Sequence, residues 1–498
     1  MCSAGNFRNQ LNAMAGRAVW WPARIARPPT SESMPLPPAT HDIAEQHALT
    51  PRPGFRLVML GLGMSVVPLD TAVNIAFPDI TGNFGLPISM IQWVVICYVL
   101  TYAALMLAFG RIGDMAGHAR VFRAGLVWSV VAYLLCAASP SFGWLLFCRF
   151  LQGIGAGLVI SCAPALVTGL YPEERRAHAV SIFTLIFALG SALGPLIGGA
   201  LVARWGWPAV FWFRAPIALL SLLLLRGLPL SRASTGERFD ILGALLLAAG
   251  LTALLFGINA GARIDGLEPP LLLAVAAAIL ALFVWWEGQA PRPIIRIEMF
   301  GDLGFTAVNL VTALMYLATF SVLLFVPYFF AHFATMPRPM AGAVLAIGSA
   351  TMALAAPAAG WLVARVAAER VAALGLLAVG GGLFLIGLWN ADVSPPVMML
   401  TLAVQGLGIG LFQTAYMDIV MRSSPLADRG VAGSLAVLTR TIGTVTGAAL
   451  LTLLFHAAQT SDTAEGFLAA FDTVFRIIGV AVVACVVAIP WWRPSAMR

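Results

Sequence analysis

The stretch RFLQGIGAGL, residues 149–158, sets an arginine at the head of a glycine-rich apolar segment, and part of it returns as QGLGIGL at residues 405–411. Gln152 and Gln405 stand 405 − 152 = 253 residues apart. Gly190-x-x-x-Gly194 and Gly443-x-x-x-Gly447 repeat at the same offset. Small residues four apart share a helix face and let a neighbouring helix approach closely. Two matches at one offset read as a duplicated six-helix unit with two helices inserted between the copies. Parallel repeats of this kind occur in carriers whose site lies between the halves.

The composition requires a membrane. Of 498 residues, 60% are hydrophobic and only 10% charged, and the mean hydropathy is +0.90, more apolar surface than a soluble core can hide. Apolar runs recur at about 56–77, 92–112, 121–139, 143–170, 177–203, 208–228, 239–260, 269–287, 304–331, 340–364, 371–389, 396–421, 430–457 and 473–492. The expected class is all-α integral membrane, with fourteen candidate transmembrane helices. The expected organisation is a disordered cytoplasmic tail at 1–55, a six-helix bundle at 56–230, two inserted helices at 231–303, a second six-helix bundle at 304–492 and a cytoplasmic end at 493–498. The tail carries no apolar run of signal-peptide length, and Met14 or Met34 is an alternative start.

All 29 basic residues are arginine. Without lysine there is no Walker-type phosphate loop and no Schiff base, so nucleotide-driven work and lysine chemistry are excluded. With the N-terminus inside, nearly all loop arginines fall on the cytoplasmic side, and only Arg204, Arg263, Arg338 and Arg476 on the other. That asymmetry places both termini in the cytoplasm of a multi-pass inner (plasma) membrane protein. It also accounts for the net charge of +7 without a nucleic-acid partner. The six cysteines form no CxxC pair and read as packing residues, so no metal is expected.

Four further stretches resemble the major facilitator superfamily, in its fourteen-helix drug:proton antiporter branch typified by EmrB and QacA. They are LDTAVNIAFPDI at 69–80, QWVVICYVL at 92–100, the Arg149 stretch, and GSALGPLIGG at 190–199, which is similar to the antiporter motif. In that motif Pro195 removes a backbone donor, while Gly190, Gly194, Gly198 and Gly199 permit close approach, so helix 5 is expected to bend and pack against the other half. The loop GRIGDMAGHAR at 110–120 resembles the family's gating loop. Gly110, Gly113 and Gly117 suit a tight turn, and Asp114, with Arg120 nearby, is placed to latch the cytoplasmic face against a helix N-terminus. Met115, His118 and Ala119 stand where the family has basic residues, and Ala364 in GWLVAR replaces an acid, which leaves one such latch.

Ionisable groups at membrane depth are functional candidates. A rise of ~1.5 Å per residue puts Asp70 on helix 1 and Arg149 on helix 4 each about 9 Å below the outer surface. The pair is expected to meet, with protonation of Asp70 as the coupling event; the alternative is a permanent structural ion pair. Arg214, in FWFRAP at 211–216, either adds positive charge to the vestibule or snorkels to the headgroups. Arg440, in RTIGTVTG at 440–447, either faces the cavity or pairs with a backbone carbonyl. Asn74, Tyr98, Tyr102, Gln152, Asn309 and Gln413 complete the candidate substrate cavity.

The resemblance implies a proton-coupled secondary transporter that exports hydrophobic or amphipathic small molecules as a monomer, with no cofactor, no nucleotide and no enzymatic step. The rivals are an exporter of one metabolite, such as a siderophore, sugar or antibiotic, and a non-transporting membrane sensor.

Overall fold

The computed structural model describes residues 53–169, 173–225, 240–259, 269–290, 300–334, 336–423, 429–459, 461 and 463–487, which lie within one compact unit. Expectations for the N-terminal tail and the C-terminal end lie outside the described residues. The long helices are α1 (Pro53–Ser65), α2 (Gln92–Ala116), α3 (His118–Ala137), α4 (Phe142–Gly169), α5 (Glu173–Trp205), α6 (Arg214–Leu224), α7 (Ile241–Asn259), α8 (Pro269–Glu287), α9 (Leu303–His332), α10 (Arg338–Val363), α11 (Ala368–Gly387), α12 (Pro395–Ser423), α13 (Arg429–Ala458) and α14 (Ala464–Ala484). Among the described residues, 12 helical segments are long and apolar enough to cross a membrane, with shorter apolar helices at Ala209–Leu224 and Leu245–Leu254.

The first span departs from a plain helix. After Ser65 the chain passes into a 3-10 turn (Pro68–Thr71) and two short helices (Ala72–Ile75 and Phe77–Phe84). Pro68 and Pro78 carry no N–H and cannot extend an i→i−4 ladder, so each starts a new segment. The Asp70 and Ala76 amides bond three residues back, to the Val67 and Val73 carbonyls at 3.0 Å. This break sets Asp70 on a tight turn at mid-span.

Packing repeats along the chain in the manner of the sequence. In the first half α2 and α3 pack on α4, and α3 on α6; in the second half α10 and α11 pack on α12, and α11 on α14. The glycine stretch shows how. A Cβ on Gly153 or Gly157 would strike α2 and one on Gly155 would strike α3, whereas on Gly406 or Gly410 it would strike α10 and on Gly408 it would strike α11. Between the halves, α5 packs on α10 and α2 on α13. Exchanging the two repeats turns one of these seams into the other, as a pseudo-two-fold axis requires. The α7–α8 pair lies against the α2–α13 seam through α7, and Trp286 Nε1 on α8 donates to both carboxylate oxygens of Asp240, just before α7, at 2.8 and 2.9 Å.

The GSALGPLIGG motif serves two neighbours rather than the one expected. Gly190, Gly194 and Gly198 recur every fourth residue and face Pro68, Thr71 and Ala72 of the first span. Gly199 lies one residue further round, about 100° away, and meets the Arg338 carbonyl and Gly342 of α10. The reason is helical pitch: a stripe four residues apart stays on one face. α5 runs unbroken from Glu173 to Trp205 through Pro195.

At the end where the first span finishes, called the far end below, Tyr328 Oη of α9 donates to Thr81 Oγ1 at 3.3 Å and to the Phe77 carbonyl at 3.4 Å. Arg338 Nη2 donates to Asp79 Oδ1 at 3.0 Å beside them. Behind this closure the second half stacks Phe329, Phe330, Trp389, Phe467 and Phe471 into a continuous aromatic cluster.

Because Gly199 and Gly342 face backbone that cannot move aside, Gly199→Leu or Gly342→Leu will each cost roughly 1–3 kcal/mol or more through overpacking. Gly360→Ala, with no atom of another helix near its Cβ, will be close to neutral. Thermal unfolding of the purified protein in detergent checks the contrast.

Candidate functional site

The turn at 68–71 presents Asp70 to three side chains from two other helices. Arg149 of α4 donates Nη1 to Oδ1 at 2.7 Å and Nη2 to Oδ2 at 2.9 Å, a bidentate fork. Gln152, one turn further along α4, donates Nε2 to Oδ1 at 2.9 Å. Arg214, the first residue of α6, donates Nη1 to the same oxygen at 2.6 Å. The carboxylate is 13% exposed, whereas Arg149 and Arg214 are 1% and 0% exposed, so Asp70 is the one member of the cluster that still meets the interior space.

The two arginines are held differently. Arg149 is fully employed: its Nε donates to the Val94 carbonyl at 2.8 Å and its Nη1 also to Gln152 Oε1 at 2.9 Å. Its guanidinium lies 4.3 Å from the centre of the Tyr98 ring. Arg214 makes the single bond to Asp70, and its Nε and Nη2 are buried without a hydrogen-bond partner among the described residues. Its guanidinium stacks 4.4 Å from the Tyr133 ring. Of the two fates open to Arg214 in the sequence, the structure places it inward, on Asp70.

Tyr98 and Tyr102 meet edge to face at 5.3 Å, and Tyr102 reaches Arg440 of α13, which also interacts with Tyr316 of α9. A chain of side chains therefore runs from Arg149 through two tyrosines to Arg440, across the boundary between halves. Asn309 stands apart from it: Oδ1 accepts from Tyr416 Oη at 2.9 Å and Thr439 Oγ1 at 3.0 Å, and Nδ2 donates to the Phe305 carbonyl at 2.8 Å. It ties α9, α12 and α13 together. Asn74 is buried in the short helix Ala72–Ile75, and Gln413 is half-buried on α12.

In the gating loop, Gly117 joins α2 to α3 with φ +94°, a conformation that other residues rarely adopt. Gly110 and Gly113 lie within α2 rather than in the expected turn; a Cβ on Gly113 would lie 2.9 Å from Cys162 Sγ of α4, and one on Gly110 would be in ordinary contact with Ser161 Cβ at 3.9 Å. Arg120 donates to the Ala116 carbonyl at 3.4 Å within its own loop. The Asp114 side chain lies outside the described residues. Asp418, toward the end of α12, pairs with Arg422 one turn on at 2.8 Å.

Sequence reasoning did not foresee the Asp79–Arg338 and Tyr328–Thr81 contacts. Arg338 stands among the loop arginines by charge alone, and its partner nine residues beyond Asp70 was the available signal.

Removing Arg149 strips four bonds from a buried charge cluster, so Arg149→Met will cost about 3–5 kcal/mol. Removing Arg214 leaves the Asp70–Arg149 fork intact and relieves two buried unpaired donors, so Arg214→Gln will cost about 1.5 kcal/mol or less. Paired unfolding curves in detergent measure the difference, and equal losses would contradict this division of labour.

The whole arrangement agrees with what the chain is similar to. The family model described as Major Facilitator Superfamily matches residues 58–283 and 308–496. Multidrug resistance protein Stp of Mycobacterium tuberculosis is 30% identical over 414 residues, covering 82% of this chain and 77% of that protein. The methylenomycin A resistance protein of Bacillus subtilis is 30% identical over 421 residues, covering 82% and 89%. A peptide transporter POT crystallised with sulfate shares the fold at a TM-score of 0.69 and 17% identity, covering 87% of this chain and 93% of that one. A bacterial homologue of the lysosomal transporter Spinster, in an inward-facing unoccupied conformation, does so at 0.65 and 16%, covering 89% and 96%. With duplicated helices packed about a buried carboxylate and a family model matching most of its length, this chain belongs to the Major Facilitator Superfamily: it is a multi-pass membrane transporter of small molecules and not an enzyme.

Proposed function

We propose that this transporter is a proton-coupled antiporter that exports hydrophobic or amphipathic small molecules across the plasma membrane. In this reading it has fourteen spans: the two six-helix bundles at 56–230 and 304–492, and the α7–α8 pair between them, with both termini in the cytoplasm and the far end outside. The observation that carries it is the Asp70 cluster, because a partly accessible carboxylate fixed by two arginines within an apolar span is a functional candidate by default. Resistance proteins among the relatives support export as the direction.

The steps follow from electrostatics. Ionised, Asp70 binds α4 and α6 to the broken first span. A proton arriving at Asp70 removes the charge that both guanidiniums share, which loosens those helices and frees donors toward the cavity. Pro68 and the glycines of α5 let the first span shift against α5, and the seams α5–α10 and α2–α13 are the surfaces on which two halves rock. The Arg338–Asp79 pair and Tyr328 hold the far end shut in the conformation described above; Asp114 is proposed to latch the opposite end.

Inverted membrane vesicles loaded with a pH-sensitive dye test the coupling. Under an imposed proton gradient, compounds from an amphipathic panel that includes methylenomycin A will dissipate ΔpH with wild-type protein and not with Asp70→Asn, at equal amounts in the membrane. Unchanged exchange by Asp70→Asn would remove Asp70 from the mechanism.

The far-end ion pair is about a third exposed, so it is worth no more than ~1 kcal/mol. Arg338→Gln will therefore shift the population toward a far-end-open state by no more than about fivefold, which distances between spin labels in the 84–92 and 332–338 loops will register.

A further inference from the structure

Counting charge at the cluster leaves an imbalance. Asp70 supplies one negative charge, and Arg149 and Arg214 supply two positive ones, all of them at least 87% buried. No other described carboxylate pairs with either arginine. On α13 of the second half Arg440 adds a third cation, half-buried beside Tyr102 and Tyr316 and likewise without a described acidic partner. A buried charge without its counter-ion is costly, and a site holding such a surplus attracts the opposite sign.

Hydrogen bonding repeats the charge count. Arg149 spends its donors on Asp70, Val94 and Gln152. Arg214 spends one, and its Nε and Nη2, which lie on the same edge of the guanidinium, are left buried without a partner. That edge is the geometry by which arginine grips a carboxylate with two parallel bonds. Tyr98 Oη, beneath Arg149, is a further buried group without a partner. Around these polar groups pack the Tyr98, Tyr102, Tyr133 and Phe211 rings, apolar surroundings in which an unpartnered donor is costly.

We propose that the cargo is an amphipathic organic anion whose carboxylate, or an equivalent oxyanion, is taken by the free edge of Arg214, with Arg440 reinforcing the field from the other half. The inference rests on the transport reading above and specifies its substrate. The edge is available while Asp70 is ionised, since Arg214 binds that carboxylate through Nη1 alone. A lipophilic cation would instead meet two or three guanidiniums at close range, so the same residues exclude it.

Three probes with one skeleton isolate the charge: 1-naphthoate, 1-naphthylmethanol and 1-naphthylmethylammonium. Isothermal titration calorimetry on purified full-length protein, in detergent and without any gradient, needs no coupling and so stays independent of the antiport reading. Wild-type protein will bind naphthoate at least tenfold tighter than the ammonium, with the alcohol between. In Arg214→Gln the preference will fall to about threefold or less, and Arg214→Lys will restore part of it. Equal or tighter binding of the ammonium by wild-type protein overturns the proposal even if no variant folds. So does a preference that survives Arg214→Gln in folded protein. Exchanging sodium gluconate for sodium chloride at fixed ionic strength separates the remaining source of negative charge: displacement of naphthoate by chloride at lower concentration than naphthoate itself requires would assign the edge to an inorganic ion and overturn it as a cargo site.

Discussion

One carboxylate at membrane depth organises the first half of this protein. Asp70 cannot sit there alone, because an uncompensated charge in a low-dielectric interior costs far more than any single contact returns. Its counter-ions have to come from other helices, since the turn that carries it holds no cation: beside Pro68 and Leu69 stands Thr71, whose hydroxyl donates to the Pro68 and Ser191 carbonyls. Hence α4 brings Arg149 and Gln152, and α6 brings Arg214. Three elements far apart in sequence are joined at one pair of oxygens. Whatever alters the charge on those oxygens alters all three at once.

The backbone is adapted to this demand. Pro68 and Pro78 divide the first span, and the resulting 3-10 turn is narrower than an α-helix, which lets α5 come close through Gly190, Gly194 and Gly198. A regular helix with side chains on α5 would hold the span further off. The second half uses a different solution at the equivalent place. There Gly443 and Gly447 of α13 meet Ala313 and Leu317 on an unbroken α9, and the polar node Asn309 is satisfied by Tyr416 and Thr439 with no charge involved. The packing repeats between the halves, while the carboxylate held by two arginines belongs to the first.

The repeat, the apolar helices and the common level of Asp70 and Arg149 were legible in the sequence because each follows from local rules: glycine spacing, apolar run length, and rise per residue. The meeting of Arg149 with Asp70 could be expected because two charges at one depth in adjacent helices have no other way to be neutralised. The direction of Arg214 could not, since an arginine near a helix end is equally able to snorkel, and the choice depends on where α6 lies relative to the first span. Likewise the glycines of α5 announce close packing without naming the partner. Only the assembled bundle separates Gly199, which faces α10, from its neighbour Gly198, which faces Ala72. The far-end closure was hidden for a similar reason, as Asp79 and Arg338 are 259 residues apart and look like ordinary loop charges.

Arg214 and Arg440 bear on selectivity more than on stability. A cation with no counter-ion destabilises the bundle that contains it, so its retention implies a gain realised in another state of the protein. For Arg149 that gain is visible in the structure, where each of its three nitrogens is bonded. For Arg214 it is not, because two donors are idle and one carboxylate is shared. The arrangement therefore separates two tasks that one arginine could not perform together. Arg149 fixes the carboxylate in place, and Arg214, free on its other edge, keeps donors for a second partner. A transporter needs that second kind of contact, since a site that grips with all its groups in one conformation has nothing left to offer the cargo in the next.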